Sequence, residues 1–116
     1  MENFPKSLSV YTLKEWLDNG SEKLIIIDVR ENIEIQMASL PFVDIYIPMS
    51  EVSFENVSSK ISNVQNNKLV ILCHRGLRSY NFGKWMLDNK LISEVWNLED
   101  GIEGWSIYID PNVPRY

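Results

Sequence analysis

Two short apolar runs constrain this chain most. Leu24-Ile25-Ile26-Ile27-Asp28-Val29 and Lys68-Leu69-Val70-Ile71-Leu72-Cys73 are continuous rather than alternating, and rich in β-branched residues. A strand with one wet face alternates; a continuous run suits a strand covered on both faces, as in a parallel sheet. Around these runs the pattern turns helical. Thr12-Leu13-Lys14-Glu15 reads as a capping box opening a short helix, with Leu13, Trp16 and Leu17 on one face and Gly20 as its stop. Phe82, Trp85, Met86 and Asn89 fall at helical spacing and predict a helix from Ser79 to about Lys90, its three apolar members forming a buried stripe. Short extended pieces are expected at 44–47 and 94–97, and a helix somewhere in 50–64. Strands alternating with helices imply an α/β fold: a small parallel sheet flanked by helices on both faces, with right-handed crossovers. In such sheets ligands bind beyond the carboxyl ends of the strands, where Asp28-Val29-Arg30 and the residues after Cys73 fall.

Composition narrows the function classes. With 116 residues and no repeat, linker or shift in composition, residues 1–116 read as a single domain. Hydrophobic residues at 45% and charged residues at 23% place it among folded globular chains rather than disordered ones. No apolar run approaches the roughly 20 residues of a membrane span. Met1-Glu2-Asn3-Phe4-Pro5-Lys6 lacks the pattern of a secretory signal, so a cytoplasmic location is expected, with no membrane partner. Eleven Lys and Arg against sixteen Asp and Glu leave −5, which argues against the broad basic footprint of a nucleic-acid binder. One Cys and one His, adjacent at Cys73 and His74, exclude an internal disulfide and a structural zinc site; no metal or cofactor is expected.

A lone free Cys is usually a small core residue. The neighbours of Cys73 change that reading. It closes a buried strand and precedes His74-Arg75-Gly76-Leu77-Arg78-Ser79, a loop with two guanidinium groups that leads into a helix. Inward-facing loop amides make an anion-binding nest, and a helix N-terminus adds partial positive charge. With Arg75 and Arg78 these effects favour thiolate over thiol. Gly76 suits a tight loop that needs positive φ, and Ser79 is expected to cap the helix and bond back into the loop. His74 is read as lining the loop, and Asp28 and Arg30 as supporting scaffold at the neighbouring strand end. Trp16, Trp85, Trp96 and Trp105 are read as core residues, and the acidic residues between Glu94 and Glu103 as a solvated face.

Cys73-His-Arg-Gly-Leu-Arg-Ser79 resembles the active-site loop of single-domain rhodanese-like proteins, Cys-x-x-Gly-x-Arg-Ser or Thr. Ile26-Ile27-Asp28-Val29-Arg30-Glu31 resembles the family's Asp-Val-Arg segment, and Ile47-Pro48 its Ile-Pro. Leu98-Glu-Asp-Gly101-Ile-Glu-Gly-Trp105 resembles its Gly-Gly-x-x-x-Trp element, with Asp100 in place of the first Gly. Asp110-Pro-Asn-Val-Pro-Arg-Tyr116 is similar to the tails of short cyanobacterial members and of rhodanese domains fused to sulfur-carrier-activating enzymes. One departure stands out: Leu40-Pro-Phe-Val-Asp44 replaces the usual His-Ile-x-Gly-Ala, which leaves the local backbone there open.

The resemblance implies a sulfurtransferase. Cys73 would be the catalytic nucleophile, taking sulfur from an anionic donor such as thiosulfate and passing it from a persulfide to a thiol, to cyanide or to a sulfur-relay protein. His74, Arg75, Gly76, Leu77, Arg78 and Ser79 would form the substrate-binding loop, with both Arg residues holding the anion. Two alternatives remain: an interaction or sulfur-relay module with little activity of its own, and a phosphatase or arsenate-reductase-like enzyme. The second is disfavoured because Cys73 and Arg78 enclose only four residues, where the phosphate cradle of that pattern takes five.

Overall fold

The computed structural model describes residues 3–20 and 23–116; Met1 and Glu2 of the N-terminal stretch lie outside the described residues. β1 (Lys6–Leu8), β2 (Leu24–Asp28), β3 (Ile45–Tyr46), β4 (Lys68–Leu72) and β5 (Trp96–Leu98) form one parallel sheet in the order β1-β5-β4-β2-β3. The two continuous apolar runs are β2 and β4, paired in its interior from Leu24 opposite Lys68 to Asp28 opposite Leu72. Their lack of alternation is explained by cover on both faces. Ile25, Ile27, Leu69 and Ile71 pack with Val57 and Ile61 of α3 (Phe54–Ile61) and with Phe82 and Met86 of α4 (Leu77–Asp88). Ile26, Val70 and Leu72 pack on the other face with Val10 and Leu13 of α1 (Val10–Asn19) and Ile102 and Trp105 of α5 (Gly101–Tyr108). No helix among the described residues is long and apolar enough to cross a membrane.

Several local expectations shift. α1 starts before the supposed box: Ser9 is the N-cap, its hydroxyl accepting from the Thr12 amide at 3.1 Å, so Thr12 lies inside the first turn. Gly20 ends α1 in the left-handed conformation, as the stop signal requires. α4 begins two residues before Ser79, capped by Gly76. Of the four Trp residues only Trp105 is buried; Trp16, Trp85 and Trp96 are half-buried, Trp16 edge-on to Trp96 at 5.2 Å. Three elements lie outside those expected from the sequence: β1, α5 and α2 (Asn32–Met37).

The topology creates the site. After β2 the chain moves to β3 on one side, and after β4 to β5 on the other. The carboxyl ends of β2 and β4 therefore flank a topological switch point, where a crevice opens in sheets of this kind. The Asp28–Arg30 stretch and the cysteine loop meet there.

Candidate active site

Cys73 directly follows β4, and the chain curls so that its own downstream groups face the sulfur. The Gly76 amide donates to Sγ at 3.1 Å and the Ser79 hydroxyl lies 3.2 Å from it. Gly76 holds φ 101°, and a Cβ there would lie 2.1 Å from the Glu99 carbonyl oxygen. Only glycine fits, for conformation and for space together. α4 starts at the next residue, so its unsatisfied first amides and the positive end of its dipole open beside the loop.

The loop is also held from behind. The Ile102 and Glu103 amides, in the first turn of α5, donate to the carbonyls of Cys73 and His74 at 3.0 Å each. This close approach requires Gly101, whose φ is 60° and whose added Cβ would lie 2.4 Å from the His74 carbonyl oxygen. Asp100, which replaces a glycine of the resembled motif, has φ −102° and needs none. From β5, Asn97 donates to the Gly76 carbonyl at 3.1 Å and accepts from Ser79 at 2.6 Å. Ser79 is thus no helix cap: its buried hydroxyl ties Cys73 to Asn97. Cys73 itself is only 1% exposed.

The two loop arginines differ. Arg78 gives Nη1 and Nη2 to the two oxygens of Glu34 on α2, at 2.7 Å each, so the fork expected to hold an anion is already occupied. These bonds, opposed by burial, raise the Arg78 pKa above its usual value, and they lead the causes that hold Glu34 at about 2. Glu34 also accepts from the Glu31 amide at 2.9 Å and the Tyr116 hydroxyl at 3.0 Å. Arg75 points outward, its side chain 70% exposed and 3.9 Å from Glu103, which pairs more closely with Arg115 at 3.0 Å. Leu77 also faces solvent. His74 stacks on Tyr116; burial first, then the charge of Arg75, keeps its pKa below the usual imidazole value.

Asp28 and Arg30 are both 0% exposed and bind each other, with Nη2 to Oδ2 at 2.8 Å and Nε to Oδ1 at 3.1 Å. They underlie the site without opening into it. The departing Leu40–Asp44 segment does structural work of its own. Leu40 is buried, Phe42 packs on Trp105 at 5.0 Å, and Asp44 pairs with β2 through its amide to the Ile26 carbonyl and its carboxylate to the Ile26 amide. A cleft of about 540 Å³ lies at the opposite, amino end of β2 and β4, lined by residues including Lys23, Asn66 and Asn67, and is remote from the sulfur.

Glu34, Asn97, Glu103 and Tyr116 escaped sequence reasoning as site residues. Glu34 alone carried a local signal, three residues after Glu31 at the start of α2, which marks a helix N-terminus but not its partner Arg78.

Residues 9–108 match the family model of the rhodanese-like domain. The rhodanese-like/PpiC domain-containing protein 12 of Arabidopsis thaliana, described as chloroplastic, is 32% identical over 93 residues, covering 78% of this chain; the chain spans 30% of that protein's length. The putative sulfurtransferase YtwF of Bacillus subtilis is 32% identical over 101 residues, covering 86% of this chain and 89% of that protein. The crystal structure of a rhodanese-like domain protein from Staphylococcus aureus superposes with a TM-score of 0.71 at 27% identity, covering 96% of this chain and 98% of the other.

Proposed function

The chain belongs to the rhodanese-like domain family, and from that premise we propose that it moves single sulfur atoms through a persulfide on Cys73. The observation that carries this reading is the sulfur itself, which ends a central strand with the Gly76 amide at 3.1 Å and the Ser79 hydroxyl at 3.2 Å. The Gly76 amide solvates a sulfur anion, and the start of α4 adds its dipole.

With thiosulfate as donor, the Cys73 thiolate attacks the outer sulfur. A Cys–S bond forms, the sulfur–sulfur bond of thiosulfate breaks, and sulfite leaves with the bonding pair. The persulfide then gives its outer sulfur to an acceptor nucleophile. Cyanide leaves as thiocyanate, and Cys73 returns as thiolate, with charge balanced at both steps. The burial of Cys73 favours a reactant that brings one slim atom to the loop. Arg75, exposed at the rim and only loosely paired with Glu103 at 3.9 Å, draws the anion in, while Arg78 serves as a strut rather than as a binding fork. The supporting Asp28 and Arg30 act as scaffold, and His74, Gly76, Leu77 and Ser79 shape the loop.

Intact mass spectrometry after incubation with thiosulfate tests this reading. The protein gains the mass of one sulfur atom, cyanide removes it, and Cys73→Ser gains nothing. Loading in Cys73→Ser would exclude the mechanism. An aryl phosphate assay on the same protein covers the rival chemistry; turnover there without sulfur loading favours the phosphatase-like reading.

A further inference from the structure

After α5 the chain runs back to the cysteine loop. Val113 is buried in the core of the α1/α5 face, its carbonyl accepts from the Ser106 hydroxyl at 2.6 Å, and Arg115 pairs with Glu103. These anchors deliver Tyr116 to the site. Its ring lies nearly parallel to the His74 imidazole, at 12° and 4.1 Å between centroids. Its hydroxyl accepts from Arg30 Nη1 and donates to Glu34 Oε1, each at 3.0 Å. One hydroxyl thus joins the Asp28–Arg30 pair beneath β2 to the Glu34–Arg78 pair that reaches α4.

We propose that Tyr116 is a positioning residue of the cysteine loop, clamping His74 with its ring and joining the two ion pairs with its hydroxyl. The inference rests on the sulfurtransferase reading above. His74 follows the nucleophile directly, and its side chain has little else to hold it: Nε2 is buried without a hydrogen-bond partner among the described residues. The charged groups around that imidazole are Arg75, Arg78, Glu34 and Glu103, none of them bonded to its ring among the described residues. Aromatic stacking is therefore the contact that fixes its orientation. The hydroxyl acts on the other side of the loop, since Glu34 carries Arg78, and Arg78 sits in the first turn of α4 one residue before Ser79.

The test uses the full chain with Tyr116→Phe, which keeps the ring and loses the bridge, and Tyr116→Ala, which loses both. Thiosulfate-to-cyanide sulfur transfer is measured as kcat and KM, and the His74 titration is followed by NMR. In Tyr116→Ala, kcat falls on the order of ten-fold through loop misplacement, and the His74 midpoint rises toward the ordinary imidazole value. KM changes by less than about two-fold, because Arg75 still draws the anion. Tyr116→Phe keeps the His74 midpoint and shows a smaller loss in kcat. Wild-type kcat in Tyr116→Ala overturns the inference whatever His74 does, and if that variant does not fold, wild-type kcat in Tyr116→Phe overturns it instead. A wild-type protein that takes no sulfur from thiosulfate is a failure of the sulfurtransferase reading. Tyr116 is then judged on the His74 titration alone, where an unchanged midpoint in Tyr116→Ala overturns the inference.

Discussion

Arg78 gives both terminal guanidinium nitrogens to Glu34, at 2.7 Å each, and so bolts α4 to α2 across the mouth between β2 and β4. The Glu34 carboxyl, ordinarily near 4.5, is held at about 2, first by Arg78 against the opposing effect of burial, then by the Glu31 amide and the Tyr116 hydroxyl. A carboxyl depressed in the folded state contributes stability that is fully present above its unfolded value and lost as pH falls through the folded one. Glu34→Gln is therefore less stable than wild type at pH 7, by about 1–2 kcal/mol once the partial exposure of Arg78 has screened the pair. The gap closes as pH drops from about 4.5 to about 2. Urea unfolding at neutral and acid pH measures it, and a gap of equal size at both would assign the loss to packing instead.

Arg75 carries the opposite expectation. Its side chain is 70% exposed and its pair with Glu103 is a loose 3.9 Å, so removing it strands no partner, since Glu103 keeps Arg115 at 3.0 Å. Arg75→Ala raises the KM for thiosulfate about five-fold, an exposed-charge effect, with kcat and stability near wild type. Added salt shrinks the difference, and Arg75→Lys restores most of it. Arg78→Ala and Arg78→Lys instead lower stability, because each breaks the two-pronged bond to Glu34. Equal KM effects from Arg75→Ala and Arg78→Ala, with no stability loss in the second, would contradict this division of labour.

Gly76→Ala tests how tightly the loop is packed. The new methyl meets the Glu99 carbonyl oxygen at 2.1 Å while the backbone sits at φ 101°. Gly20→Ala is the matched control, since Gly20 has φ 62° and an added Cβ there meets nothing among the described residues within 4 Å. The control costs about 1–2 kcal/mol for its left-handed backbone alone. Gly76→Ala costs more than the control and also slows sulfur loading, because relief requires the loop to leave β5. Thermal unfolding of both variants and the loading rate of each decide it; equal stability losses would mean that Glu99 yields freely.

Much of this architecture is legible in the residues because burial leaves a periodic mark. The unbroken runs at Leu24 and Lys68 announce interior parallel strands, and Cys73 at the end of one of them, ahead of Gly76, announces the loop. β1 and α5 are harder to read. Lys6–Leu8 is three residues long with only Leu8 buried, and α5 buries small residues such as Gly101 and Gly104 that carry no apolar signal. The site charges are harder still. That Arg78 bonds Glu34, or that Tyr116 reaches Arg30, depends on where the sheet order brings α2, α4 and the closing segment. Nothing local in the sequence encodes those distances.

The Asp28–Arg30 pair separates scaffold from substrate contact. Both side chains are 0% exposed. Asp28 accepts Nε and Nη2 of Arg30 and also its backbone amide, at 3.0 Å. Burial disfavours the guanidinium charge, but the bonds to Asp28 and then Tyr116 outweigh it, leaving the Arg30 pKa above its usual value. Asp28→Asn removes the compensating charge while keeping the volume, which leaves a cation buried in the sheet at a cost of about 3–5 kcal/mol. A double-mutant cycle with Arg30→Met isolates the pair: the double variant loses less than the sum of the two single losses, because the second change removes a charge the first had stranded. Since neither group reaches the loop opening, each variant that folds keeps its KM for thiosulfate. A large rise in KM in a variant of wild-type stability would make Asp28 and Arg30 donor contacts rather than scaffold.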